Sequence, residues 1–135
     1  MAIKIYDNLL KEEIELNLDP HKDKLWYICG PTVYDSSHLG HARTYLTSDI
    51  IRRIMTDYFN QPITYIMNIT NIDDKIIARA RETKQTSQKL AETFENNFFF
   101  DMKSLNIRDP DVVTRVTDFI PSMIHFIEKL IEQKK

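Results

Sequence analysis

Glycine is nearly absent from this chain: there are two in 135 residues, where average usage near 7% would give about nine. Both lie in one stretch, Cys29-Gly30-Pro31-Thr32-Val33-Tyr34-Asp35-Ser36-Ser37-His38-Leu39-Gly40-His41, beside the only cysteine and two of the four histidines. A single cysteine excludes an internal disulfide and favours a reducing compartment. The net charge of -2 provides no general attraction to nucleic acid, so an RNA contact would need a local basic patch or residues beyond these. No apolar run approaches the ~18 residues of a membrane span. Residues 1–10 lack the basic-flanked apolar core of a secretory signal. Internal repeats, low-complexity tracts and Ser/Gly linkers are missing too. These absences point to a soluble cytoplasmic protein.

What is present is an ordinary globular composition, 42% hydrophobic and 28% charged, in a length that suits one domain with a real core. Ile3-Lys4-Ile5-Tyr6 alternates like a short strand. Residues 17–24, with Asp19-Pro20, read as a turn. Leu25-Trp26-Tyr27-Ile28-Cys29 is a short run of β-favouring residues stopped by Gly30-Pro31, the signature of a buried parallel strand. A loop over 30–40 then leads into a helix over about 41–59. There Leu46, Ile50, Ile54 and Tyr58 make one apolar stripe, and Asn60-Gln61-Pro62 ends it. Ile63 to Met67 is a second buried-strand candidate. Helices follow over about 72–81 and 87–105, the latter with Phe94, Phe98 and Met102 on one face. Asp109-Pro110-Asp111 breaks the chain. The clearest helical period runs from about Asp118 to Gln133, through Ile120, Met123, Ile124, Ile127, Leu130 and Ile131, with Pro121 in the first turn. Strand, loop, helix, strand, helix in that order implies a βαβ unit and a parallel sheet.

The Cys29–His41 stretch leaves the carboxyl end of the first buried strand and enters a helix N-terminus. Ligands of open parallel sheets bind outside such strand ends. A helix start offers free N–H groups and partial positive charge suited to phosphate. His38 and His41 bracket Gly40, which lets a flat ring approach the backbone, and imidazoles can donate to phosphate oxygens as charge builds in a transition state. Blander roles fit each piece taken alone. An H-x-x-H pair is often a cap or surface feature, and a lone cysteine at a strand end is usually a small core residue. Thr70 and Asp73 suit either ligand contact or capping of the helix near Ile72. Arg52-Arg53 reads as a solvated helix face, His21 and His125 as structural or surface residues, and Phe98-Phe99-Phe100 as core or a domain contact.

Tyr27-Ile28-Cys29-Gly30-Pro31-Thr32-Val33-Tyr34-Asp35 followed by His38-Leu39-Gly40-His41-Ala42-Arg43-Thr44 closely resembles the cysteinyl-tRNA synthetase family of class I aminoacyl-tRNA synthetases. Asn68-Ile69-Thr70-Asn71-Ile72-Asp73-Asp74-Lys75-Ile76-Ile77 resembles that family's second block. The similarity continues through Asp101-Met102-Lys103-Ser104-Leu105-Asn106 and Pro110-Asp111-Val112. The Gly-Pro-Thr-Val-Tyr-Asp wording and Thr114-Arg115-Val116 look closest to eukaryotic cytoplasmic members.

The resemblance implies a fold and a set of roles. The fold is the first half of a Rossmann-like (HUP-type) catalytic domain over 1–108, with the start of a helical connecting insertion over 109–135. The activity is ATP-dependent, AMP-forming cysteine–tRNA ligation, with ATP and Mg, L-cysteine and tRNA(Cys) as substrates and partners and no membrane. Pro31, Thr32, His38, Leu39, Gly40 and His41 correspond to the ATP-binding HIGH region, with His38 and His41 catalytic and leucine in place of isoleucine at position 39. Gly30 and Thr70 correspond to cysteine-binding positions, and Cys29 to one ligand of a zinc ion that holds the substrate thiolate and helps reject serine. Asn71 stands where the family usually has aspartate, and Ala78 where eukaryotic members often have lysine. The chain carries no Lys-Met-Ser-Lys-Ser loop, second cysteine or later His/Glu cluster. The expectation is therefore an N-terminal fragment with an incomplete zinc site, inactive alone and prone to self-association through its open sheet. Two other readings stand beside it: the related cysteine ligase of thiol biosynthesis, and a non-catalytic truncated paralogue acting as a binding module.

Overall fold

The computed structural model describes residues 3–16, 19, 22 and 24–134. His21 and most of the turn expected over 17–24 lie outside them. An antiparallel hairpin pairs β1 (Lys4–Asp7) with β2 (Glu12–Glu15). Its turn is closed by the Asp7 carboxylate, which accepts from the Leu9 and Leu10 amides at 2.7 and 3.0 Å. A second sheet of parallel strands has the order β3 (Lys24–Thr32), β4 (Ile63–Thr70), β5 (Val112–Arg115). Helix α1 (Leu39–Arg53) crosses from β3 to β4, and α2 (Asp74–Glu82) and α3 (Ser87–Ser104) lie between β4 and β5. Helix α4 (Ile120–Glu132) follows a short 3-10 turn. The α/β class and the parallel sheet are as the sequence implies.

The core forms where β4 meets the helices. Tyr65, Met67 and Ile69, alternate residues of β4, are buried against Tyr45 of α1, Ile76 and Ala80 of α2, and Leu90, Ala91, Phe98 and Met102 of α3. Ile69, Ile76 and Leu90 are 1% exposed or less; each contributes about 1.5–3 kcal/mol of hydrophobic stabilisation. Cys29, Leu25 and Tyr27 of β3 are exposed.

Strand β3 does not stop at Gly30-Pro31 but runs to Thr32, with a register shift against β4 between Cys29 and Thr32. The apolar stripe Leu46, Ile50, Ile54, Tyr58 is exposed, and α1 buries Tyr45, Asp49 and Arg52 instead. Arg52 and Arg53 are therefore not a solvated face. The Arg52 guanidinium donates to the Asp109 carbonyl at 2.8 Å and to the Asp111 carboxylate at 2.9 Å, and it lies 4.8 Å from the Tyr65 ring centre. Arg53 pairs with buried Asp49 at 2.6 Å and donates to the Asn106 carbonyl. Asp111 also accepts from the Tyr65 amide at 2.7 Å. These contacts bolt the 106–111 segment to α1 and β4 and align β5, so the sheet extends past the chain break at 109–111. Residues 54–58 finish the first helix as a π turn, with the Phe59 amide reaching the Ile54 carbonyl.

The shortage of glycine has a conformational counterpart. Left-handed backbone occurs at Lys11, Asn60, Lys84, Asn106 and Lys134, with φ between 53° and 61°. Each of these non-glycine residues costs roughly 1–2 kcal/mol there. Neither glycine has positive φ; both serve a different end.

Candidate active site

The site begins at the register shift in β3. A Cβ on Gly30 would lie 1.8 Å from the Asn68 carbonyl oxygen and 3.0 Å from the Met67 side chain. Only a residue without a side chain lets β3 pass β4 this closely. Thr32, at the end of β3, pairs with Thr70, the last residue of β4, and the Val33 amide donates to the Thr70 carbonyl. Gly30, Thr32 and Thr70 thus meet at the carboxyl end of two parallel strands.

Residues 33–38 carry the chain to α1. His38 is the N-cap: its Nδ1 accepts from the Gly40 amide at 3.0 Å, and His41 Nδ1 accepts from the His38 amide at 3.2 Å. This is a capping box made of two imidazoles, where Ser or Thr with Glu is usual. A Cβ on Gly40 would meet the His38 ring at 2.8 Å; glycine lets that ring fold over the helix start. The two rings stack with centres 4.0 Å apart. Since both Nδ1 atoms accept, the network assigns each neutral ring its proton on Nε2. The His41 pKa is lowered from its ordinary value, first by burial and then by the neighbouring His38, which favours the neutral donor form. The result is two imidazole N–H groups beside the positive end of a helix dipole.

Tyr45 ties this helix start to the strand. Its hydroxyl donates to the Cys29 carbonyl at 3.0 Å, its ring stacks 6.5 Å from His41, and its edge packs against Phe98. Burial is the main cause raising its pKa, so the phenol stays a donor. Composition and period do not single out Tyr45; the one usable signal is its place a helical turn after His41, on the same face.

Leu39 is 85% exposed and contributes backbone rather than packing. Pro31 is buried. Asp73 is the N-cap of α2, accepting from the Lys75 amide at 2.9 Å, whereas Thr70 belongs to β4 and does not cap. Asn71 exchanges two hydrogen bonds with Thr117, linking the end of β4 to the turn after β5. The Lys75 ammonium lies 5.5 Å from the Tyr34 ring centre. His125 is exposed on α4, 3.8 Å from Glu128. Phe98 is core, Phe99 packs against it, and Phe100 is exposed.

The Cys29 thiol is exposed. Among the described residues no group of three or more His, Cys, Asp or Glu side chains is close enough to hold a metal ion. The described side chains therefore do not fit a zinc site beyond one soft donor, since zinc normally takes four ligands. Among the described residues no helix is long and apolar enough to cross a membrane.

Comparison with known proteins adds the family context. The family described as tRNA synthetases class I (C) catalytic domain matches residues 17–135. The chain is 56% identical over 106 residues to a protein named cytoplasmic cysteine–tRNA ligase from Dictyostelium discoideum, covering 78% of this chain and 16% of that protein. It is 55% identical over 129 residues to the cysteine–tRNA ligase of Encephalitozoon cuniculi, covering 96% and 27%. It is 45% identical over 133 residues to that of Pyrococcus horikoshii, covering 98% and 28%. The chain spans between 16% and 28% of the length of these relatives.

Proposed function

Since the chain belongs to the class I cysteinyl-tRNA synthetase catalytic-domain family, we propose that it supplies the ATP and cysteine half-site of a cysteine–tRNA ligase. The observation that carries this reading is the double-histidine capping box at the carboxyl end of β3, whose tautomers leave two Nε2–H donors at a helix start. An anion there meets oriented donors, a helix dipole and Gly40, which presents no side chain.

In the proposed reaction the cysteine carboxylate attacks the α-phosphorus of Mg-bound ATP. Pyrophosphate leaves, and cysteinyl-adenylate then transfers its acyl group to a terminal hydroxyl of tRNA(Cys). His38 and His41 donate to the α-phosphate oxygens as negative charge develops, without giving up their protons. Pro31, Thr32, Leu39 and the Gly40 backbone line the nucleotide side. Gly30 and Thr70 flank the amino acid, and Cys29 would offer one soft sulfur donor to a metal ion. Residues 1–108 form the first part of the nucleotide-binding domain and 109–135 open the connecting insertion. The names of the relatives favour tRNA over the inositol-linked acceptor of thiol biosynthesis. The protein acts in the cytoplasm on this reading, and the 135-residue chain alone makes no adenylate.

Titration of Mg-ATP into isotopically labelled chain tests this. The His38–His41 amides are expected to shift, and the response to vanish in a His38→Ala, His41→Ala double variant. Shifts confined to other regions would refute the assignment. Cysteine-dependent ATP–pyrophosphate exchange by the purified chain would refute its inactivity.

A further inference from the structure

We propose that Asn68 is the positioning residue of the Cys29–Gly30 corner. Strands β3 and β4 keep register from Lys24 opposite Ile63 to Cys29 opposite Asn68, and then lose it. A register shift leaves a strand amide without its ladder acceptor. Here the Gly30 amide donates instead to Asn68 Oδ1 at 3.2 Å. The same oxygen accepts from the Tyr27 hydroxyl at 2.7 Å. An amide oxygen has two lone pairs, so it satisfies both donors.

The second bond reaches the thiol. The Cys29 Sγ–H group donates to the Tyr27 oxygen at 3.9 Å. With the phenol proton committed to Asn68, the lone pairs of that oxygen are the ones that face sulfur. Meanwhile the Asn68 backbone carbonyl bars any side chain at position 30. One residue thus acts twice on the corner: its backbone demands glycine, and its side chain holds the glycine amide and, through Tyr27, orients the neighbour of the thiol. Asn68 lies on the half-buried face of β4 with Thr64, Ile66 and Thr70, opposite buried Tyr65, Met67 and Ile69, and these two bonds give its side-chain oxygen both its partners.

That the corner serves cysteine recognition rests on the proposed function; the positioning itself does not, and the test reads it without turnover or ATP. Amide exchange is measured by NMR in the 135-residue chain and in Asn68→Ala and Asn68→Asp variants. In Asn68→Ala the Gly30 amide is expected to exchange about tenfold faster, the effect of one ordinary hydrogen bond, while the Tyr65 and Ile69 amides and the urea midpoint stay near the parent values. Asn68→Asp keeps the acceptor and restores Gly30 protection to within about threefold of the parent. Unchanged Gly30 exchange in Asn68→Ala overturns the proposal, as does a loss spread evenly over β4. If Asn68→Ala does not fold, Asn68→Asp decides alone: a charged acceptor moves the Gly30 amide proton downfield, and an unmoved resonance overturns the proposal.

Discussion

The Cys29–His41 corner and helix α4 are opposite cases. The corner has no hydrophobic period, yet its backbone and rings are held by named contacts: Gly30 against the Asn68 carbonyl, Tyr45 on the Cys29 carbonyl, and two imidazoles capping α1. Helix α4 has the clearest apolar period in the sequence, yet it buries no residue, and Ile120, Met123, Ile124, Phe126, Ile127 and Ile131 all remain exposed. Periodicity reports which face a helix can bury. It does not report whether the described residues bury it. The corner, by contrast, is specified by sterics and hydrogen bonds among its own residues, β4 and Tyr45 of α1.

The largest expected effect is at Gly30. A Cβ there meets backbone, which cannot swing aside, so Gly30→Ala should destabilise the chain by about 3 kcal/mol or more, at the upper end for overpacking, read as the urea midpoint. A change below about 1 kcal/mol would mean that the corner is looser than its geometry. Next is Arg52→Leu, which leaves the Asp109 carbonyl and Asp111 carboxylate without their guanidinium. A loss of about 2 kcal/mol is expected for charged hydrogen bonds of this kind, with faster amide exchange in β5.

These two positions also mark how far the sequence could be read. The glycine pair was legible as a close-approach site because glycine is so scarce elsewhere. Arg52 was not legible: its partners lie 57 and 59 positions away, and the more apolar Leu46–Tyr58 stripe outcompetes the Tyr45–Asp49–Arg52 face on hydropathy alone. Strand β5 was missed for the same reason, since four residues gain strand form only through Asp111 and β4. Strands β3 and β4 and helices α1 to α4 were visible from period and breakers, as was the parallel order, but β3 is not the buried strand its composition suggests, since Leu25, Tyr27 and Cys29 are exposed. Asn68 stood in the open as a polar residue in a buried strand, but its meaning depends on a register shift that no local pattern encodes.

A smaller effect separates the regions by pH. His41 is easier to deprotonate in the folded chain than in the unfolded one. Its contribution to stability is therefore complete above the ordinary histidine pKa of about 6.5 and is lost as pH falls below it towards the folded value. His41→Ala should flatten that part of the stability profile, measured by urea unfolding across pH 5 to pH 8. Smallest of all, Ile127→Ser on α4 should alter stability by no more than about 0.5 kcal/mol, as exposed substitutions do. It should weaken self-association in light scattering, because it breaks an exposed apolar face. A chain that stays monomeric at high concentration would contradict that expectation.

The corner is already built in this chain, with both imidazoles held as Nε2–H donors by the capping box. Long-range proton–nitrogen NMR of the histidine rings near pH 7.5 reads this directly. His38 and His41 are both expected to carry their proton on Nε2, with Nδ1 unprotonated and accepting. A proton on Nδ1 of either ring would contradict the capping box and the phosphate-facing donors that follow from it.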